Sequence, residues 1–323
     1  MGADAFTPPI EGFGLPGTFV LRRAGDALAI RAYAQRHHAT RAVVAGGGPL
    51  GLEAAYSIRR LGLNVTVLER GSRLLPRQLD ARSSELLREY FEGLGVRIQL
   101  DSAPVAVRST EGRLGGVVLS DGGELATELL LVAAGIAPMV ELARKAGLDT
   151  RRGVVVDDRL RTSDPDVFAA GDLAQHQGTI YGLWPAAVEQ GEIAAENAVG
   201  GTRAYGGTVP VAKLKVVGVE LMSAGRCEPG EGDLVIVRED AHRHSYRKLV
   251  ISDGRVVGAI LIASPGNAAD IAAAVRERRD VSAAIDKLQQ GDWSCLAGDA
   301  SENVVREPPR LRSPRSPEPW RGS

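Results

Sequence analysis

Cysteine is almost missing from this 323-residue chain: Cys227 and Cys295 are its only two, far apart and in no paired motif. That excludes a disulfide framework, a zinc knuckle and thiol–disulfide exchange. It also excludes the cysteine clusters that hold iron–sulfur centres. The five histidines are too scattered to form a metal-ligand set, and His242 and His244, two apart, read as a solvated turn. Charge of one sign is lacking too: 39 Lys and Arg offset 40 Asp and Glu, leaving a formal net charge of -1 that gives no reason to expect nucleic acid as a partner. No apolar run approaches the roughly 20 residues that a membrane-spanning helix needs. The N-terminus has no basic segment followed by an apolar one, so a cytoplasmic protein without membrane attachment is expected.

What is present is ordinary for a globular protein, 44% hydrophobic and 24% charged residues over a length suited to two domains and a small third. Residues 1–34 read as loop, a strand at Thr18–Leu21 and a helix, too little for a domain. Across 35–152, apolar strands alternate with amphipathic helices, the pattern of a parallel sheet covered on both faces. Residues 153–205 add a strand at Val167–Ala170 and a helix from about Pro185 to Asn197. In 206–295 the pattern changes to short strands, Leu214–Val219, Leu234–Val237, Lys248–Ile251 and Val256–Ile262, followed by two helices ending near Gln290, which is a separate α+β domain. Residues 296–323, rich in Pro, Arg and Ser, read as a disordered tail.

The sharpest motif is the strand Ala42-Val43-Val44-Ala45 running into Gly46-Gly47-Gly48-Pro49-Leu50-Gly51 and then a helix through Leu52, Glu53, Ala54 and Ala55. Gly46 permits a tight turn, Gly48 lets backbone approach a pyrophosphate, and Gly51 lets the helix pack closely on the strand. The helix N-terminus offers unpaired N–H groups and partial positive charge to the phosphates. A second strand, Val65–Leu68, ends at Glu69, 69 − 51 = 18 residues beyond Gly51, where an acid binds the adenosine ribose hydroxyls. Glu69 would repel a 2′-phosphate and so favours NADH, while Arg70 and Arg73 beside it moderate that preference. A surface glutamate after a fortuitous glycine turn is the plainer reading of the same residues.

Further segments resemble the FAD-dependent NAD(P)H oxidoreductases of the pyridine nucleotide-disulfide oxidoreductase family, in particular rubredoxin reductases, ferredoxin reductases and the flavin module of assimilatory nitrite reductase. Gly2–Gly12 resembles the stretch that follows the family's N-terminal flavin unit. Leu74-Leu75-Pro76-Arg77 is similar to the stretch after its ribose-binding acid, and Val132–Pro138, with Gly135, to its later crossover. Thr162–Asp172 resembles its second flavin motif, in which Asp172 would accept a hydrogen bond from a ribityl hydroxyl; Asp172 also reads as a helix N-cap. Tyr181–Gly191 is similar to the helix start that meets the flavin pyrimidine edge, where the positive helix end would stabilise charge on reduced flavin. Trp184 there reads equally as a domain-interface residue.

The resemblance implies an α/β, two-dinucleotide-binding-domain flavoprotein fold: a Rossmann-like NAD domain (35–152), a partial FAD domain (1–34 and 153–205) and a small C-terminal α+β interface domain (206–295), expected to fold against the flavin side and not against the NAD domain. The implied function is hydride transfer from NADH to FAD, with electrons passed on to a carrier protein (rubredoxin, ferredoxin or a nitrite-reductase component) or a small acceptor. Gly46, Gly48, Pro49, Leu50, Gly51, Glu69, Arg70 and Gly135 would serve NAD(P)H, with NADH preferred, and Gly171, Asp172 and Trp184 would serve FAD. Glu53, placed on the first turn of the glycine-loop helix, resembles a family glutamate near the nicotinamide and takes an orienting role, though a dipole-favoured helix acid fits as well. The resemblance also implies a homodimer. The family's first glycine loop precedes the segment resembled by Gly2–Gly12 and has no counterpart in these residues, so a missing flavin-binding segment is expected. A non-catalytic NAD(H)-binding remnant is the alternative reading.

Overall fold

The computed structural model describes residues 2–216, 219–240, 245–264 and 266–297; most of the expected tail, with His242 and His244, lies outside them. Its central element is a five-stranded, wholly parallel sheet in the order Thr18–Val20, Leu129–Val132, Arg41–Ala45, Asn64–Leu68, Val96–Gln99. The three inner strands are rich in Val, Leu and Ala because both faces are covered, whereas the edge strand Val96–Gln99 alternates buried and exposed residues. Ala42, Val44, Val65, Val67, Leu129 and Leu131 pack on one face against helices Ala24–Arg36, Pro49–Arg60 and Ala81–Gly93. Val43, Ala45, Leu68, Leu130 and Val132 pack on the other against Val107, Leu114, Val117 and Leu119 of an antiparallel three-stranded meander. Burying each such side chain contributes roughly 1.5–3 kcal/mol.

Two placements differ from the sequence reading. The strand Thr18–Val20 was expected to belong with the flavin unit, yet it pairs in parallel with Leu130–Val132 at the edge of the nicotinamide sheet. The reason lies in the helix that follows it, whose Ile30 and Ala34 are buried in the same core as Ala42 and Val44. The segment Val167–Ala170 is not a ladder strand either: it makes a single bridge between Phe168 and Arg161, and the pair in this region is Val154–Val156 with Ala174–His176.

Ala3–Ala5 pairs antiparallel with Ile136–Pro138 in a two-stranded sheet of its own. The helix expected from about Pro185 to Asn197 runs Trp184–Ala198.

The C-terminal sheet is antiparallel, in the order Val211–Val216, Val219–Gly225, Arg255–Ile262, Ser245–Ser252, Leu234–Asp240. The sequence reading ran the first two of these strands together, because no glycine–proline turn signal separates them. One face of the sheet buries Met222, Ala224, Leu249 and Leu261 under Ile271, Ala274 and Val275 of helix Ala268–Glu277. The other face was expected to lie against the flavin side. Instead Leu214, Leu221, Cys227, Tyr246, Ile260 and Ile262 share one buried cluster with the nicotinamide core. Polar anchors fix that contact. Asp80 accepts hydrogen bonds at 2.7 Å from Lys248 Nζ and at 2.8 Å from the Tyr246 hydroxyl, all three residues being buried, and Arg82 pairs with Glu239.

Candidate dinucleotide and flavin site

The glycine loop leaves the sheet at the C-terminal end of Arg41–Ala45, in the crevice where open α/β sheets bind their ligands. Gly46 has φ +125°, and a Cβ there would lie 2.4 Å from the Ala133 carbonyl oxygen; a Cβ on Gly51 would lie 1.9 Å from the Gly46 oxygen. Only glycine fits either position. At Gly48 an added Cβ would meet nothing within 4 Å, so the loop is open on the side where a pyrophosphate would approach. The helix that begins at Pro49 has Gly48 as N-cap and no side-chain cap, which leaves its first N–H groups for a ligand. Pro49 and Leu50 are exposed at that end.

Glu69, at the end of the next strand, is half-buried and turned towards this loop. Its two carboxylate oxygens each accept a hydrogen bond at 2.7 Å, one from Gly47 N and the other from Gly71 N. Each oxygen retains lone-pair capacity for a ribose hydroxyl. Arg70 is exposed and makes no ion pair among the described residues, whereas the Arg73 guanidinium is paired at 2.8 Å with Glu228 of the C-terminal domain. Gly135, with φ +113°, follows the strand Leu129–Val132 on the same edge. Glu53 is the fifth residue of its helix, so it sits in the second turn and not the first; partial desolvation raises its carboxyl above the ordinary range.

On the flavin side, Gly171 and Asp172 open a short 3-10 turn, Gly171–Leu173, that leads into Ala174–His176. Asp172 therefore does not end a strand, and the N-cap of that turn is Ala170. Two partners that the sequence reading missed hold it. Arg22, at the end of the nicotinamide edge strand, makes a 3.1 Å ion pair with Asp172, and Gln190 accepts a 2.8 Å hydrogen bond from Gly171 N. Arg22 lies 150 residues from Asp172, beyond any local signal, whereas Gln190 stands within the Tyr181–Gly191 segment. Helix Trp184–Ala198 starts without a side-chain cap, and Trp184 is 81% exposed. Its free N–H groups and the Asp172 carboxylate are the donor and acceptor types that a flavin ring edge and a ribityl chain require.

Comparison with known proteins now decides the family. The model for "Pyridine nucleotide-disulphide oxidoreductase" matches residues 1–191, more than half of the chain. The chain belongs to that family. A second model, "Rubredoxin NAD+ reductase C-terminal domain", matches residues 210–279. Among its relatives, the assimilatory nitrate reductase electron transfer subunit of Bacillus subtilis is 32% identical over 91% of this chain and 38% of its own length. The ferredoxin reductase component of chlorobenzene dioxygenase from a Cupriavidus species is 36% identical over 91% of this chain and 70% of its own length. Among solved structures, an NAD-dependent persulfide reductase from A. fulgidus superposes with a TM-score of 0.76 at 28% identity, covering 88% of this chain and 57% of that one. The chain thus spans well under half the length of the nitrate reductase relative, and its α/β fold with a C-terminal domain is that of FAD/NAD reductases.

Among the described residues no helix is long and apolar enough to cross a membrane, and no group of three or more His, Cys, Asp or Glu could hold a metal ion. Cys227 and Cys295 are free thiols, both pushed up in pKa by burial.

Proposed function

We propose that the protein is an NADH-preferring, FAD-dependent oxidoreductase that passes electrons to a carrier protein of the ferredoxin, rubredoxin or nitrite-reductase-component type. The Arg22–Asp172 ion pair carries this reading. It ties the strand edge of the nicotinamide sheet to the flavin motif, so one contact joins the two sites that must face each other. Glu69 orients the adenosine ribose, the uncapped helix at Pro49 holds the pyrophosphate, and Asp172 with the helix at Trp184 holds the ribityl and pyrimidine end of FAD. Bound FAD would supply the chemistry, taking hydride from the nicotinamide and releasing electrons to the acceptor. The protein's part is to place the rings and exclude water from between them. The names of the relatives support the partner class: one transfers electrons for nitrate assimilation and another reduces a ferredoxin.

Anaerobic mixing of the chain, saturated with FAD, against NADH tests the proposal. Flavin absorbance should bleach, and Asp172→Ala should abolish flavin binding while NADH still binds. NADH binding without any flavin reduction would instead leave a non-catalytic nucleotide-binding protein.

A further inference from the structure

We propose that Glu228, on the C-terminal domain, is a specificity-determining residue for the dinucleotide: it holds the Arg73 guanidinium away from the position that a 2′-phosphate would occupy. This rests on the reading of Glu69 as the ribose acid. An ideal Cβ built on Gly71 lies 3.3 Å from Glu69 Oε1 and 3.9 Å from the Arg73 carbonyl oxygen, so Arg73 leaves the backbone beside the ribose acid. A free arginine at such a place would offer a forked, always charged donor set to a phosphate. Here one arm of that fork is engaged: Nη2 is 2.8 Å from Glu228 Oε1 and donates to the Pro76 carbonyl at 3.3 Å.

The backbone beside Glu228 is anchored. Glu228 follows Cys227, which is 5% exposed within the core shared by the two domains and lies 3.1 Å from the Ser223 hydroxyl. The same interface is closed by the buried Asp80, Lys248 and Tyr246 group. A domain remote in sequence thereby governs which nucleotide the glycine-loop unit accepts. Arg70, exposed and without an ion pair among the described residues, remains available to a phosphate, so the control is partial.

The test measures dissociation constants of NADH and NADPH, by calorimetry on the full chain, for the native protein, Glu228→Gln and Arg73→Ala/Glu228→Gln. Because the Arg73–Glu228 pair is partly exposed, its release should change NADPH affinity by about threefold, the scale of a surface ion pair. Glu228→Gln is expected to tighten NADPH by that factor without a matching gain for NADH, which has no 2′-phosphate, and the double variant to lose the gain. A native preference for NADH that Glu228→Gln leaves unaltered overturns the inference while sparing the ribose assignment. A native chain that prefers NADPH or binds neither nucleotide overturns both.

Discussion

At Glu69 one side chain does two things at once: it closes the glycine loop through Gly47 N and presents spare lone pairs where a ribose would lie. Its position at the strand end was legible in the sequence, because the glycine spacing and the period of the apolar residues fix where the second strand must stop. The carboxylate's tie to Gly47 was not, since a backbone N–H carries no sequence signal. The same divide separates Asp172, named by its motif, from Arg22, which no motif names. Gly51 gives a residue-level prediction: Gly51→Ala places a methyl group 1.9 Å from the Gly46 oxygen, so the helix must shift, and NADH affinity should fall by more than about tenfold, a cost of ~1.4 kcal/mol or more. Unchanged affinity in a titration would show that the helix does not need that close approach. Trp184 gives another. As it is 81% exposed at the proposed flavin edge, adding FAD should quench part of the tryptophan fluorescence, and Trp184→Phe should remove that part. Equal quenching in both proteins would place the flavin elsewhere.

Among the elements, the loop from Glu69 to the helix Ala81–Gly93 is held from both domains, by Glu228 on Arg73 and by Lys248 and Tyr246 on Asp80. Burial alone would raise the Asp80 carboxyl, but the Lys248 ammonium with hydrogen bonds from Ser83 and Tyr246 outweighs it and holds Asp80 at about 2, below the ordinary 3.8. A lowered carboxyl pKa gives stability that is complete above the unfolded value and is lost as pH falls through it towards the folded one. Asp80 should therefore contribute ~2 kcal/mol that disappears between about pH 4 and pH 2. Lys248→Met strands the carboxylate in the interface and should cost ~3 kcal/mol at neutral pH. Thermal melts at several pH values check this: the variant should melt lower at pH 7 and show a weaker pH dependence between 4 and 2. A variant as stable as the native chain would mean that the interface is not built on this pair. The Ser83 N-cap hydrogen bond belongs to a local Asp-x-x-Ser pattern, but Tyr246 and Lys248 are 166 and 168 residues away, which is why the sequence could not reveal their convergence.

For the whole molecule, the sequence reading misjudged which element packs on which. An apolar strand reads alike whichever sheet it joins, so Thr18–Val20 and the C-terminal sheet could be assigned only by packing. Helix Pro49–Arg60 packs against the strand Val211–Val216, so a chain ending at residue 205 exposes part of the nicotinamide core. That truncation should aggregate, as gel filtration would show; a soluble, NADH-binding fragment would make the C-terminal domain dispensable. Apolar side chains also stand open in the intact chain, among them Phe6, Met139, Leu142, Val167 and Val188 with Trp184, a composition suited to further association.

The central claim, that a nicotinamide dinucleotide binds on the Gly46–Gly51 loop and is read by Glu69, is tested most directly by calorimetric titration of NADH and NADPH into the native chain and into Glu69→Ala. The account predicts binding of NADH tighter than NADPH, and a loss of about tenfold in NADH affinity with a narrowed preference in the variant, the scale of hydrogen bonds to a charged group. Binding of neither nucleotide, tighter NADPH, or a variant with the native ratio would contradict it.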